Sequence, residues 1–172
     1  MRLTKVRYFL SVLFAIAVVA PVAAQSTIFT DENVDYRFEL PSPTWRVVSR
    51  PDGLQKRAEF VYGDRLDGYL LIHKELVESG IGPSDVSRIY KDDKLRFKPG
   101  YVDGKEEKFE GHLNGVTMSY EYTYSGKAML GRVYFLQADN RTIYVVHFTG
   151  LRDKLGRIRN QTDSIARTFA VK

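Results

Sequence analysis

The chain of 172 residues contains no cysteine and a single tryptophan, Trp45. Without a thiol it forms no disulfide, binds no metal through sulfur and offers no thiol nucleophile. It also has no residue to carry the lipid of a bacterial lipoprotein. Signatures of chemistry are missing as well. There is no G-x-S-x-G, no S-x-x-K, no H-E-x-x-H and no calcium-loop pattern. The glycine-bearing stretches Gly63–Gly68 and Gly111–Gly115 lack the lysine and the helix start that cradle a phosphate. The longest apolar run, Phe9–Ala20, is short for a membrane span of about 20 residues.

What is present at the N-terminus explains that run. Arg2, Lys5 and Arg7 precede it without an acid, and Pro21-Val-Ala-Ala-Gln25 follows it. A basic start, a short apolar middle and a small-residue end make a secretory signal peptide over residues 1–24, cleaved after Ala24. An uncleaved anchor is the alternative. Removing residues 1–24 takes away three bases and leaves 23 against 21 acids, a formal +2. Bulk charge therefore gives little support to a nucleic-acid partner, and none is expected. Residues 25–172 form one domain, large enough for its own core and held by that core alone. Export to a bacterial periplasm or exterior fits a disulfide-free secreted domain.

Periodicity reads as strands, helix, strands, helix. Val34, Tyr36, Phe38 and Leu40 alternate with polar residues, and Pro41 and Pro43 end the strand. Trp45, Val47 and Val48 begin the next, and Ala58, Phe60 and Tyr62 mark another. Asp64–Gly68 reads as a turn. Tyr69–Ile72 and Thr142–Phe148 are apolar on both faces, the mark of central strands. Met118–Tyr124, the turn Ser125–Lys127 and Met129–Gln137 read as a hairpin, with Lys105–Phe109 as an edge. A helix opens at Pro83 or Ser84, with Ser84 as its cap. Val86, Ile89, Tyr90 and Phe97 fall near one face of it. A last helix of about 18 residues carries Leu151, Leu155, Ile158, Thr162, Ile165, Ala166 and Phe169 on one stripe. The class is α+β: a mostly antiparallel sheet covered by helices.

Tyr36-Arg-Phe-Glu-Leu-Pro41 followed by Thr44-Trp45, a sheet of Tyr-rich strands, and a last helix ending Ser164-Ile-Ala-Arg-Thr-Phe169 together resemble the PsbP-like family. That family holds the extrinsic photosystem II subunit and exported bacterial proteins of unassigned role. The resemblance covers Phe29–Phe169. It implies an α/β/α sandwich, and a photosystem-associated role should the source be phototrophic.

Candidate chemistry is sparse. His147, in phase with Ile143 and Val145, reads as a core histidine with a hydrogen-bonded ring. His112 lies in a turn. His73, near a strand end, could serve a secreted hydrolase given a carboxylate from the fold. Glu106, Glu107, Glu110 and His112 read as a solvated edge rather than metal ligands. No catalytic, cofactor or metal residue is assigned. Tyr120 and Tyr122 are expected under a helix, with Tyr124 freer at the hairpin. Trp45 reads chiefly as a core-edge ring and secondly as a platform. Arg152, Lys154, Arg157 and Arg159 form a basic cluster that reads mainly as a solvated helix face. A partner surface would draw on Trp45, Tyr124 and those four bases. The expected role is a non-catalytic binding or assembly module of the cell envelope. Its partner would be an envelope protein or surface polymer, with peripheral membrane contact as a lesser option.

Overall fold

The computed structural model describes residues 27–54 and 56–172. The expected signal peptide lies outside them. Ten strands and three helices follow in order: β1 (Thr27–Thr30), β2 (Tyr36–Leu40), β3 (Trp45–Ser49), β4 (Glu59–Tyr62), β5 (Asp64–Leu76), α1 (Pro83–Tyr90), β6 (Val102–Phe109), β7 (Gly115–Tyr124), β8 (Lys127–Gln137), β9 (Thr142–Leu151), α2 (Arg152–Arg157), α3 (Arg159–Thr168) and β10 (Ala170–Val171). Seven strands make one antiparallel sheet in the order β3-β4-β5-β9-β8-β7-β6. A second sheet, β1-β2-β10, is also antiparallel.

The large sheet has a core on each face. On one side Val86, Tyr90 and Leu95 pack over Met118, Tyr120, Val133, Phe135, Ile143 and Val145. On the other, Leu155, Ile158, Ile165 and Phe169 join Phe29, Phe38 and Phe60 over Tyr134, Tyr144, Val146 and Phe148. Successive residues of β8 and β9 therefore enter opposite cores, which is why both strands bury two apolar faces. Among the described residues, no helix is long and apolar enough to cross a membrane.

The β7–β8 hairpin closes as the sequence suggests. Tyr124 pairs with Lys127, and both loop residues have positive φ, Ser125 at 48° and Gly126 at 73°. That is the backbone a two-residue hairpin loop prefers, and Gly126 adopts it without strain.

Four local expectations need correction. First, the helix cap is Gly82, not Ser84. The Asp85 carboxylate accepts the Gly82 N–H at 3.2 Å, while the Ser84 hydroxyl donates to Glu106 at 2.8 Å. Second, α1 continues as a π-helical turn over Lys91–Leu95, in which the Arg96 N–H reaches back five residues to the Lys91 carbonyl. The extra residue advances the register, so Leu95 is buried and Phe97 is 82% exposed. Third, the turn expected over Asp64–Gly68 is an irregularity inside the ladder. Tyr62 pairs with Asp64 while Val61 already faces Tyr69. Fourth, the last helix is two. The strand before it runs on to Leu151, and the backbone leaves helical geometry at Ile158 (φ −101°, ψ 18°). Ile158 closes α2 with a tightened bond to the Leu155 carbonyl, and its own carbonyl starts α3. Gly156, a poor helix former, lies two residues before the break. The apolar stripe survives, because every member from Leu155 to Phe169 stays buried.

Candidate functional site

Trp45 is not a surface residue. Only 4% of it is exposed; its ring meets Tyr62 and Phe148 edge-on, and its indole N–H donates to Gln161 at 3.0 Å. The double-proline stop before it turns the chain so that β3 starts with the ring facing inward. It contributes nothing to a platform.

The other five candidate positions are exposed. Tyr124, 60% exposed, stands at the hairpin tip. Arg152 follows Leu151, which pairs with Met129, which in turn faces Tyr122. Tyr124 and Arg152 therefore share one end of the sheet, and Arg152 meets Glu121 of β7 at 3.1 Å. Lys154 approaches Asp67 at 4.0 Å at the same end. Arg159 lies elsewhere, against Glu107 at 3.6 Å and Asp163 at 3.9 Å. Such exposed pairs contribute at most about 1 kcal/mol each, but they cancel charge. Arg157 has no ion pair among the described residues.

Sequence reading missed Phe97. The loop after the π-turn is tied to the hairpin by the Thr123 N–H donating to the Pro99 carbonyl at 2.7 Å, and Lys98 sits 4.7 Å over the Tyr122 ring. Phe97 and Tyr124 are thus two large exposed rings at one end of the sheet, with Lys98 and Lys127 beside them. A helix without the π-turn would have buried Phe97; nothing in residue spacing announces that turn.

The histidines divide. His147 bridges two phenols: Nδ1 lies 3.0 Å from the Tyr90 hydroxyl and Nε2 2.8 Å from that of Tyr120. Burial, with Lys98, His73 and Lys94 nearby, pushes its pKa down to about 3, so the ring is neutral. One phenol then donates to it and the other accepts. This is a structural histidine. His73 stacks on Tyr90 at 5.9 Å, and its Nε2 reaches Glu75 at 3.1 Å. The fold thus supplies the carboxylate a hydrolase would want. However, Glu75 also takes Lys94 at 3.3 Å, and the cleft beside His73 is lined by Leu54, Lys56, Arg57 and Lys74, none of them a nucleophilic hydroxyl or thiol.

Glu106, Glu107, Glu110 and His112 line a cleft of about 870 Å³ at the far end of the sheet. Glu106 is engaged by Ser84 and Glu107 by Arg159. Among the described residues, no cluster of three or more His, Cys, Asp or Glu could hold a metal ion.

No protein-family model matches the chain, and no curated protein matches it in sequence. Solved structures do. The cyanobacterial PsbP of Synechocystis sp. PCC 6803 superposes with a TM-score of 0.57 at 17% identity, covering 93% of this chain and 99% of its own. The Ran-binding protein Mog1p of Saccharomyces cerevisiae gives 0.60 at 10% identity, covering 86% and 96%. The fold is that of PsbP and Mog1. LpqN of Mycobacterium tuberculosis, involved in cell envelope biogenesis, shares it with a TM-score of 0.53 at 14% identity, covering 90% of this chain and 87% of LpqN. The chain spans about half the length of one further match, a Bacteroides thetaiotaomicron protein. At these identities the PsbP/Mog1-like likeness speaks for fold; roles reside in sites placed upon it.

Proposed function

We propose that the chain is an exported, non-catalytic module that binds or steadies a partner protein in the cell envelope. The observation that carries this reading is the pair of exposed rings, Phe97 and Tyr124, held at one end of the sheet by the bond from Thr123 to Pro99. Exposed aromatics flanked by cations are the usual anchors of protein interfaces. Lys98 and Lys127 flank them and favour an acidic partner face. The roles of the fold's neighbours accord with it: one binds Ran and another takes part in envelope biogenesis. The sequence of residues 1–24 supports export.

The test is photo-crosslinking in the native host with a photoreactive residue at position 97 or 124. A discrete adduct, lost when the other ring is changed to serine while the melting curve is unchanged, is the expected result. Adducts that are diffuse, or that survive that change, would end the proposal. Export is checked separately: the mature protein's N-terminal sequence should begin at Gln25.

A further inference from the structure

Two neighbouring clefts share a wall built from Lys56, His73 and Lys74. The first, of about 440 Å³, is completed by Leu54 and Arg57. The second, of about 330 Å³, runs on past Tyr36 and Tyr144 to an acidic far side formed by Glu32 and Asp35, which leaves the first cleft as the place for an anion. Their origin lies in the ladder. β4 pairs with β5 only as far as Leu71, whereas β5 continues to Leu76 against β9. Beyond Leu71 the outer edge of β5 has no strand neighbour among the described residues, and Leu54, Lys56 and Arg57 lie beside it.

The charge in the first cleft has one sign. Of its five lining residues, three are cations and a fourth is His73. Lys74 is engaged by Asp35, and Glu75 serves both His73 and Lys94. Lys56 and Arg57 form no ion pair among the described residues. Arg57 is near enough to act electrostatically on His73, Tyr69 and Tyr90. In the second cleft, the Tyr36 hydroxyl is buried and has no hydrogen-bond partner among the described residues; the backbone N–H of Ala58, a donor, and the Asp35 and Asp31 carboxylates act on it electrostatically, and none of them takes its proton. Its own proton thus lacks an acceptor.

We propose that this edge cleft binds an anionic group, a phosphate or carboxylate, on a small or chain-end ligand. The free Lys56 and Arg57 supply the charge, and the guanidinium offers two parallel N–H donors to a pair of anion oxygens. His73, with Nε2 held by Glu75, adds a donor at Nδ1 only when binding of the anion protonates the ring, and Tyr36 offers its hydroxyl deeper in. Concave low-dielectric walls focus the field of these cations and raise the local concentration of anions. This is a site separate from the Phe97 and Tyr124 surface, and it does not depend on it. It also accounts for His73 without catalysis: the ring faces cations and an acceptor-seeking cleft, not a nucleophile.

Inorganic phosphate is the probe. It is titrated into the purified protein at pH 7 and constant ionic strength, with chloride as control, while backbone amides and histidine rings are followed by NMR. Saturable shifts at residues 56–57 and 72–74 and at the His73 ring are expected. The apparent pKa of His73 should rise on binding, because a bound anion favours the imidazolium. Lys56→Ala with Arg57→Ala, both at exposed positions, should weaken binding at least about tenfold, with an unchanged melting curve. Lys56→Glu with Arg57→Glu should abolish it. Shifts that never saturate, that match those of chloride, or that persist in the double variant overturn the site. A vesicle arm separates the sources. Phosphatidylglycerol vesicles bound through this cleft should release the protein on adding phosphate. Vesicle binding without any phosphate response would overturn the cleft in favour of a general surface attraction.

Discussion

Arg132 and Asp163 meet at 3.0 Å beneath α3, with the arginine almost wholly withdrawn from water. The guanidinium is also held by the Tyr134 hydroxyl at 2.6 Å and the Ser119 hydroxyl at 3.0 Å. Tyr134 donates to the same carboxylate, and burial pushes its phenol above its usual range. One network thereby joins β7, β8 and α3. Burying such a pair gains little by itself, but stripping one partner leaves a charge uncompensated.

Asp163→Ala should therefore lower the unfolding free energy by about 3 kcal/mol, read from urea denaturation. Changing both partners to apolar residues of similar volume, Arg132→Met with Asp163→Leu, should recover most of that loss. Equal destabilisation by the single and the double change would show that the pair is not what holds α3 to the sheet.

Tyr120 lies across Gly131 in the β7–β8 ladder, and a Cβ built on that glycine would stand 2.1 Å from the Tyr120 ring. The glycine leaves the space in which the phenol reaches His147. Gly131→Ala should push the ring away, break the 2.8 Å bond to the imidazole and cost on the order of 2 kcal/mol. The expected NMR signature is a displaced His147 ring resonance. A native-like resonance with unchanged stability would mean that the sheet yields instead of the ring.

Acid should destabilise the protein before its carboxylates titrate. His147 stays neutral in the fold down to about pH 3, held so chiefly by burial and then by Lys98, His73 and Lys94. The unfolded chain takes up that proton near pH 6.5. Its contribution is thus complete above about 6.5 and is lost as the pH falls toward 3, at about 1.4 kcal/mol per pH unit. His73, also lowered, mainly by burial, acts in the same direction. Urea midpoints measured from pH 7 to pH 4 should decline, and His147→Gln should flatten the decline while leaving the Tyr90 and Tyr120 hydroxyls a partner. A profile equally steep in that variant would assign the acid sensitivity elsewhere.

Much of the sheet was readable because side chains alternate with period two and both faces are covered. Val133 and Tyr134, or Val145 and Val146, enter different cores simply by being neighbours. The stripe from Leu155 to Phe169 was readable for the same kind of reason, yet it hid the break at Ile158, since two short helices carry the same faces as one long one. The π-turn was invisible because it inserts a residue without any special side chain, and so the exposure of Phe97 was missed. The anion cleft depends on where β4 stops following β5, which brings Lys56 and Arg57 to His73 across some 16 positions of sequence. No local pattern encodes that meeting. The sequence around Trp45 suits both a core ring and a platform, and its burial makes it core.

The lone tryptophan also makes the last prediction simple to measure. Trp45 joins β3 to α3 through Gln161 and is packed by Phe148 and Tyr62, so one fluorophore reports whether the final helix is docked. Its emission should be blue-shifted and poorly quenched by acrylamide, and should move red in a single step with far-UV circular dichroism during unfolding. Trp45→Phe keeps much of the ring but orphans the Gln161 carbonyl oxygen, and should cost about 1–3 kcal/mol. Trp45→Ala empties the space as well and should cost about 3–5 kcal/mol. Docking of a protein partner at Phe97 and Tyr124 should leave this emission unchanged, because the indole is enclosed. A partner-induced shift would show that binding loosens α3.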